Sequence, residues 1–135
     1  MNDKLVFADS NIFLYLLDKD KSKKQIAAQI LAGQPFISPQ VVFENMNVVV
    51  KKFGLNRQQA VEHAQMLLQF CPLVLDSETT LEKAFDILQR HQLQVFDSRI
   101  IASALTARCE ILYSEDFQHN QVFEGTLTII NPFLV

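Results

Sequence analysis

Four acidic side chains stand where a parallel α/β sheet would gather its functional groups. Asp9 and Asp116 each follow a predicted strand, and Glu44 and Asp97 fall in or near the first turns of two predicted helices. Because ligands of such sheets bind beyond the carboxyl ends of the strands, these four carboxylates could share one pocket. Each also has a structural alternative: Asp9 and Asp97 could cap helices, Asp116 could form a turn, and Glu44 could lie at the surface.

A cluster of four carboxylates needs a counter-charge. Two unit charges about 4 Å apart repel each other by about 4 kcal/mol at an effective dielectric constant of about 20, so protons or a cation must offset them. Carboxylate oxygens without histidine or cysteine suit Mg²⁺, with Mn²⁺ as a substitute. Such an ion activates water and stabilises charge on a phosphate. The cluster therefore predicts hydrolysis of phosphodiester bonds.

Short apolar runs alternate with helical segments along the whole chain. The runs predict strands at 5–8, 36–37, 73–75, 111–113 and 127–130. Strands that alternate with helices favour a parallel sheet with helices on both faces. We therefore predict an α/β fold with three layers (α/β/α) around a central, mostly parallel five-stranded sheet. No linker or repeat interrupts the chain, so residues 1–135 are expected to form a single domain.

Glu44 lies on a predicted helix whose apolar stripe indicates which side faces the core. Ser38 and Pro39 predict the start of a helix that extends to Phe53, with Ser38 as the N-cap and Pro39 at the first position. The apolar stripe of this helix comprises Val42, Met46, Val49 and Phe53. Glu44 lies roughly opposite that stripe, so periodicity places it either in water or in a polar cleft.

Two later helices are predicted from their starts. Residues 79–82 fit a capping box, and the apolar face behind it comprises Leu81, Ala84, Phe85 and Leu88. Asp97 occupies an N-cap position before a segment of small and apolar residues. Because that segment is apolar on most sides, the helix is expected to be central and packed against the sheet.

Composition limits the classes of function. Twelve basic and fifteen acidic residues give a net charge of -3, which argues against binding nucleic acid by bulk positive charge. Cys71 and Cys109 match no metal-ligand spacing and lie among apolar residues, so they are predicted to be buried free thiols in a reducing compartment. No apolar run approaches the roughly 18 residues of a membrane helix. A cytoplasmic protein is therefore expected.

Four short motifs, taken in order, resemble those of a known nuclease family. They are Asp9-Ser10-Asn11-Ile12, Ser38-Pro39 leading to Glu44-Asn45, Phe96-Asp97-Ser98-Arg99-Ile100-Ile101-Ala102, and Ser114-Glu115-Asp116-Phe117. The chain resembles a PIN-domain ribonuclease, and most closely a VapC-type toxin of a type II toxin–antitoxin system. The resemblance covers essentially the whole chain in the order of the family's motifs.

The resemblance implies a role for each matched position. The catalytic and metal-holding acids would be Asp9, Glu44, Asp97 and Asp116. Asn11 matches a polar residue that orients a ligand or metal-bound water, and Ser114 falls where the family commonly has threonine. Asp116 is preferred over Glu115 because the family's last acid directly precedes the position of Phe117. The resemblance also implies Mg²⁺ (or Mn²⁺), an RNA substrate, a cognate antitoxin and a homodimer.

Several basic residues are candidates for substrate binding. Arg99 follows Asp97 by two residues and could contact phosphate, although a surface position or a structural salt bridge is the favoured alternative. Lys51 and Lys52 could touch the RNA backbone. The three histidines, His63, His91 and His119, have no partner in the sequence that suggests nucleophilic catalysis.

Two other functions use the same architecture. A receiver-like module would be phosphorylated on an aspartate after the third strand, and it would need an acidic pair at the end of the first strand. Asp76 follows the third predicted strand, but the first strand ends in Asp9-Ser10-Asn11, which is not such a pair. A PIN domain without activity could act only as a scaffold for partners. The presence of all four acids disfavours that alternative.

Overall fold

Three parallel strands and one short antiparallel strand form the central sheet. The computed structural model describes residues 4–134, so residues 1–3 and 135 of the predicted domain lie outside it. The strands are β1 (Val6–Ala8), β2 (Ile111–Tyr113), β3 (Val122–Phe123) and β4 (Leu127–Ile130). They lie in the order β1-β2-β4-β3, and only the β3–β4 pair is antiparallel. The predicted α/β class and mostly parallel sheet are confirmed.

Besides this sheet, the described residues 4–134 form six α-helices. They are α1 (Ser10–Leu14), α2 (Lys21–Ala32), α3 (Pro39–Lys51), α4 (Arg57–Phe70), α5 (Glu78–Arg90) and α6 (Val95–Thr106), and a 3₁₀ helix (Tyr15–Leu17) follows α1. Helices α5 and α6 pack together, and α3 packs on both α1 and α4. Within residues 4–134 no helix has the length and apolarity needed to cross a membrane.

The predicted count of five strands is not confirmed. Segments 36–37 and 73–75 form only isolated parallel bridges, Phe7 with Phe36 and Ile37 with Leu73. Their pairing stops early because the chain turns into α3 at Pro39, directly after Ser38. Strand β3 was missed, since two residues before a turn carry no periodic signal. That turn contains Gly125 at φ 70°, a backbone conformation that glycine adopts without strain.

The core explains why the helix that carries Asp97 is rigid. Five successive residues of α6, from Ile100 to Ala104, are buried, which confirms the predicted central helix. Of these, Ile100, Ile101 and Ala104 belong to the same core as Phe7 of β1 and Leu112 of β2. Burial of large side chains stabilises by about 1.5–3 kcal/mol each, so the start of α6 is fixed relative to the strand ends.

Two predicted helix faces need correction. The capping box at α5 joins Ser77 with Thr80 rather than spanning 79–82, and the buried face comprises Thr80, Ala84 and Ile87, which leaves Leu81 and Phe85 exposed. Helix α3 begins as predicted, with Ser38 at the N-cap position and Pro39 in the first turn, although the Ser38 side chain makes no cap hydrogen bond. Because α3 ends at Lys51, Phe53 lies beyond its apolar stripe and is exposed.

Candidate active site

Asp9 both caps a helix and faces the other acids. It follows the end of β1, and its Oδ1 accepts the backbone N–H of Ser10 at 2.7 Å, which caps α1. Its Oδ2 accepts the hydroxyl of Ser114 at 2.8 Å. Only 2% of Asp9 is exposed. The capping interpretation and the functional one are therefore compatible, because the same turn fixes the carboxylate.

Burial and neighbouring charges change the ionisation of Asp9. Its pKa is raised from 3.8 to about 7, and burial is the largest cause. The hydrogen bonds from Ser114 and Ser10 lower this pKa, and the negative charges of Asp116 and Glu44 contribute to raising it. A carboxylate that titrates near neutrality is typical of functional sites.

Glu44 lies in a polar cleft rather than in open water. Its Oε1 accepts the hydroxyl of Ser10 at 3.1 Å, and its Oε2 accepts the side-chain amide of Gln40 at 3.4 Å. Burial raises the pKa of Glu44, the two hydrogen bonds lower it, and the charges of Asp116 and Asp97 raise it. The alternative left open by helix periodicity is thereby decided.

Asp97 and Asp116 complete the group of acids. Asp97 is not the predicted N-cap, because α6 begins at Val95 with Gln94 as its cap; Asp97 lies in the first turn, where the helix dipole favours a carboxylate. Burial raises its pKa, and the charge of Asp116 raises it further. Asp116 itself is exposed. Since Asp116 raises the pKa of all three other acids, the structure brings the four carboxylates within electrostatic reach of one another.

Ser114 connects the two strand ends. Its hydroxyl, fully buried, donates to Asp9 and accepts the backbone N–H of Asp116 at 3.0 Å. Asn11 joins this network: its side-chain amide lies 3.5 Å from Ser114 Oγ, and its Oδ1 accepts the N–H of Glu115 at 3.2 Å. Asn11 and Ser114 thus connect the turn that carries Asp9 with the turn that carries Glu115 and Asp116.

Glu115 is held apart from the group of four acids. Both of its carboxylate oxygens lie 2.8 Å from the hydroxyl of Tyr15, which donates to them. Burial and then this contact raise the pKa of Tyr15 to about 12. This contact engages the Glu115 carboxylate, and the preference for Asp116 over Glu115 as a ligand stays a prediction.

The candidate substrate-binding residues differ in their surroundings. Arg99 Nε donates to Asp76 Oδ2 at 2.7 Å, so the predicted alternative of a structural salt bridge is formed. Arg99 nevertheless also lines a cavity that contains Glu44. Lys52 is exposed beside a smaller cavity, of about 280 Å³, that reaches Asn11. Lys51 is exposed at the end of α3.

Three further residues support the site and were missed from the sequence. Ser10 and Gln40 hold Glu44, and the spacing of four between Gln40 and Glu44 on one helix was a usable signal. Asn45 is fully buried, and its amide donates to the carbonyl of Ser10 at 3.0 Å. Its Oδ1 lies 3.0 Å from His63 Nε2. No local pattern could reveal this link, because His63 lies on another helix.

Replacing Asn45 by Leu is expected to lower the free energy of unfolding by about 1–3 kcal/mol, because the variant loses the Ser10 contact and leaves His63 Nε2 without its partner. The shift of the chemical-denaturation midpoint measures this loss. Gln65→Leu is the matched control, since Gln65 is exposed on α4 and its replacement is expected to change stability by less than about 0.5 kcal/mol. An Asn45→Leu midpoint equal to that of the control would show that the buried link is not stabilising.

The four acids suit a divalent cation by their chemistry. Hard carboxylate oxygens are the ligands that Mg²⁺ and Mn²⁺ prefer, and each acid with a raised pKa would gain from a nearby positive charge. Within residues 4–134, no three His, Cys, Asp or Glu side chains form a ready-made metal site. Carboxylates that repel one another are expected to stay apart until a cation draws them together.

Comparisons with known proteins bear on the fold of this chain. The family model of the PIN domain matches residues 6–123. No curated protein matches the sequence. A solved toxin–antitoxin complex from Klebsiella pneumoniae contains a similar chain, with a TM-score of 0.70 and 23% identity over 97% of this chain and 99% of that one. VapC20 of Mycobacterium tuberculosis, a toxin that cleaves the sarcin–ricin loop, is similar over 82% of this chain and 89% of its own, with a TM-score of 0.66 and 19% identity.

Proposed function

Because this chain belongs to the PIN-domain family, we propose that it is a metal-dependent endoribonuclease and the toxin of a toxin–antitoxin pair. The family resemblance found in the four motifs agrees with this membership. The likenesses to the Klebsiella complex and to VapC20 support the toxin role, and at 23% and 19% identity they establish the fold alone. Divalent ions are the usual cofactors of PIN nucleases, and Mg²⁺ is our proposal for this chain.

One observation carries the proposal: Asp116, beyond the end of β2, lies close enough for its charge to raise the pKa of Asp9, Glu44 and Asp97, which come from distant parts of the chain. Together Asp9, Glu44, Asp97 and Asp116 would hold the metal, which supplies an activated water and stabilises charge on the phosphate. Such an arrangement is costly in a protein that does not use it, because burial of unpaired carboxylates destabilises the fold.

The remaining residues of the site orient these ligands. Ser10 and Ser114 hold the two oxygens of Asp9, so its carboxylate has one fixed orientation. Gln40 holds one carboxylate oxygen of Glu44, and the hydroxyl of Ser10 holds the other. Asn11 contacts both Ser114 and the backbone of Glu115, and we assign it the role of orienting a ligand or water beside the acids.

The proposal also covers the protein partners of the chain, its location in the cell and the extent of its domain. A cognate antitoxin would inhibit the enzyme, and two copies would form a homodimer. Exposed apolar side chains, among them Val50, Val61 and Leu68, offer surface for such contacts. Cys71 and Cys109 are free and buried, as predicted, which suits a reducing cytoplasm. We take residues 1–135 as one nuclease domain.

The decisive experiment is incubation of purified protein with defined RNAs and Mg²⁺, with and without EDTA. Wild type is expected to cleave only with the metal, and Asp97→Asn to cleave at least about 100-fold more slowly, since a metal ligand is lost. This variant also controls for contaminating nucleases. Equal cleavage by wild type and Asp97→Asn would overturn the mechanism. A metal-bound protein that cleaves none of the RNAs would favour the inactive scaffold.

A receiver-like module has no support in the structure. Asp76, its candidate phosphorylation site, forms an ion pair with Arg99 and lies 3.5 Å from the hydroxyl of Ser103. The membership in the PIN-domain family likewise disfavours it.

A further inference from the structure

A cavity with two exposed aromatic walls opens beside the acids. Its volume is about 530 Å³, and its lining includes Gln40, Phe43, Glu44, Asn47, Phe96 and Arg99. Phe43 is 67% exposed and Phe96 is 61% exposed. Each phenylalanine directly precedes one of the site acids, Glu44 or Asp97, in the sequence. Two large apolar side chains are thus held at the surface at the point where substrate must approach.

Gln40 links the segments that carry Phe43 and Phe96. Its side-chain amide donates to the carbonyl of Phe96 at 3.0 Å and to Glu44 Oε2 at 3.4 Å, so it links the start of α6 to α3. Gln40 is only 7% exposed, and its Oε1 has no hydrogen-bond partner among residues 4–134. A ligand that supplied a donor would remove the cost of this buried, unpaired acceptor.

Arg99 supplies the positive charge of the cavity. Within the part of the chain that the structure describes, only its Nε donates a hydrogen bond, to Asp76. A guanidinium has five N–H donors, so the others are available to a phosphate or to the edge of a base. The ion pair with Asp76 holds the guanidinium in place, which reduces the entropy lost when a ligand binds.

Charge alone cannot bring RNA to this protein. The net charge is -3, and the four acids of the site add local repulsion to a phosphate strand. Stacking of bases on aromatic side chains gives affinity that does not depend on net charge, and it is the usual way of binding unpaired nucleotides. A cavity of this volume lies in the range typical of small-ligand sites.

We propose that the cavity is a nucleobase subsite, in which an unpaired base of the RNA strand stacks on Phe43 and Phe96 while Arg99 contacts the same nucleotide. The occupant is a base next to the cleaved phosphate, because the cavity and the acids share Glu44. This inference rests on the proposed ribonuclease function. It adds a binding role for two phenylalanines that the metal chemistry does not use.

The test compares Phe43→Leu and Phe96→Leu with Phe85→Leu. Phe85 is 59% exposed on α5, away from the lining of the cavity, so it is a matched control for loss of a surface ring. The probe is a single-stranded RNA that wild type cleaves, together with derivatives that carry one abasic nucleotide at each position in turn. KM is expected to rise about 5- to 100-fold in both cavity variants, with a smaller change in kcat. Phe43→Tyr should restore binding, because it keeps the ring.

The abasic RNAs make the assignment specific. One abasic position next to the cut is expected to raise KM for wild type, and the Phe43→Leu change should then add nothing further. Unchanged KM in both cavity variants, while wild type cleaves normally, would overturn the subsite and leave the ribonuclease function intact. Variants that cleave normally but no longer bind the antitoxin would also overturn it, and would make the cavity a protein interface. No cleavage by wild type would instead contradict the ribonuclease function itself.

Discussion

Asp9→Asn is expected to abolish RNA cleavage and yet to make the metal-free protein more stable at about pH 8. The activity falls because a proposed metal ligand is lost. The stability rises because an ionised carboxylate is no longer buried among other acids. Asparagine can still accept the N–H of Ser10, since it caps helices as well as aspartate does. Loss of function with gain of stability is a signature that a merely structural aspartate would not give.

The pH dependence follows from the direction of the pKa shift. The pKa of Asp9 is about 7 in the folded state against an ordinary value of 3.8, so the folded state binds the proton more tightly. The stabilisation is fully present below about pH 4 and is lost as the pH rises to about 7. At about 1.4 kcal/mol per pH unit, the wild-type free energy of unfolding is expected to fall by roughly 4 kcal/mol over this range. Glu44 and Asp97, whose pKa values are also raised, contribute with the same sign.

Urea denaturation in EDTA at several pH values measures this effect. The slope of the free energy of unfolding against pH should be strongly reduced in Asp9→Asn. Asp86→Asn is the matched control, because Asp86 is a surface carboxylate whose pKa its hydrogen bond with Arg90 lowers. Its slope between about pH 5 and pH 8 should equal that of wild type. Parallel slopes in all three proteins would show that Asp9 is not the group that titrates.

Mg²⁺ or Mn²⁺ is expected to raise the melting temperature by about 10 °C when the free ion is at about 100 times its Kd. Binding to the folded state alone contributes about 2.7 kcal/mol at that concentration, and each kcal/mol raises the melting temperature by about 3–5 °C in a chain of this size. The rise should be smaller at about pH 6 than at about pH 8, because protons compete with the metal for Asp9.

Two adjacent residues give a sharp control for the metal experiment. Asp116→Asn is expected to remove most of the thermal shift, since the charge of Asp116 acts on all three other acids. Glu115→Gln is expected to keep it, because the Glu115 carboxylate is held by Tyr15 instead. A shift that disappears in Glu115→Gln and persists in Asp116→Asn would reverse the assignment of the fourth ligand.

Local signals in the sequence were sufficient for the elements that carry the acids. A run of apolar residues that stops at Asp9 predicted β1, and Ser38-Pro39 predicted the start of α3. The two helix faces that were wrong, at α5 and beyond α3, depended on neighbours that periodicity does not include. Leu81 fits an amphipathic pattern, but the face that α5 buries comprises Thr80, Ala84 and Ile87, and α5 packs on α6.

By itself, the sequence determined the α/β class and the start of α3, because capping and apolar runs act over a few residues, and its motifs predicted the four acids. The tertiary structure alone decided which groups meet. The hydrogen bond from Ser114 to Asp9 joins positions 105 residues apart, and it forms because β1 and β2 are parallel neighbours. The pairing of Arg99 with Asp76 and the shared cavity of Phe43 and Phe96 also join segments that are distant in the sequence. Contacts between distant segments depend on which faces are buried together, and no local pattern specifies that.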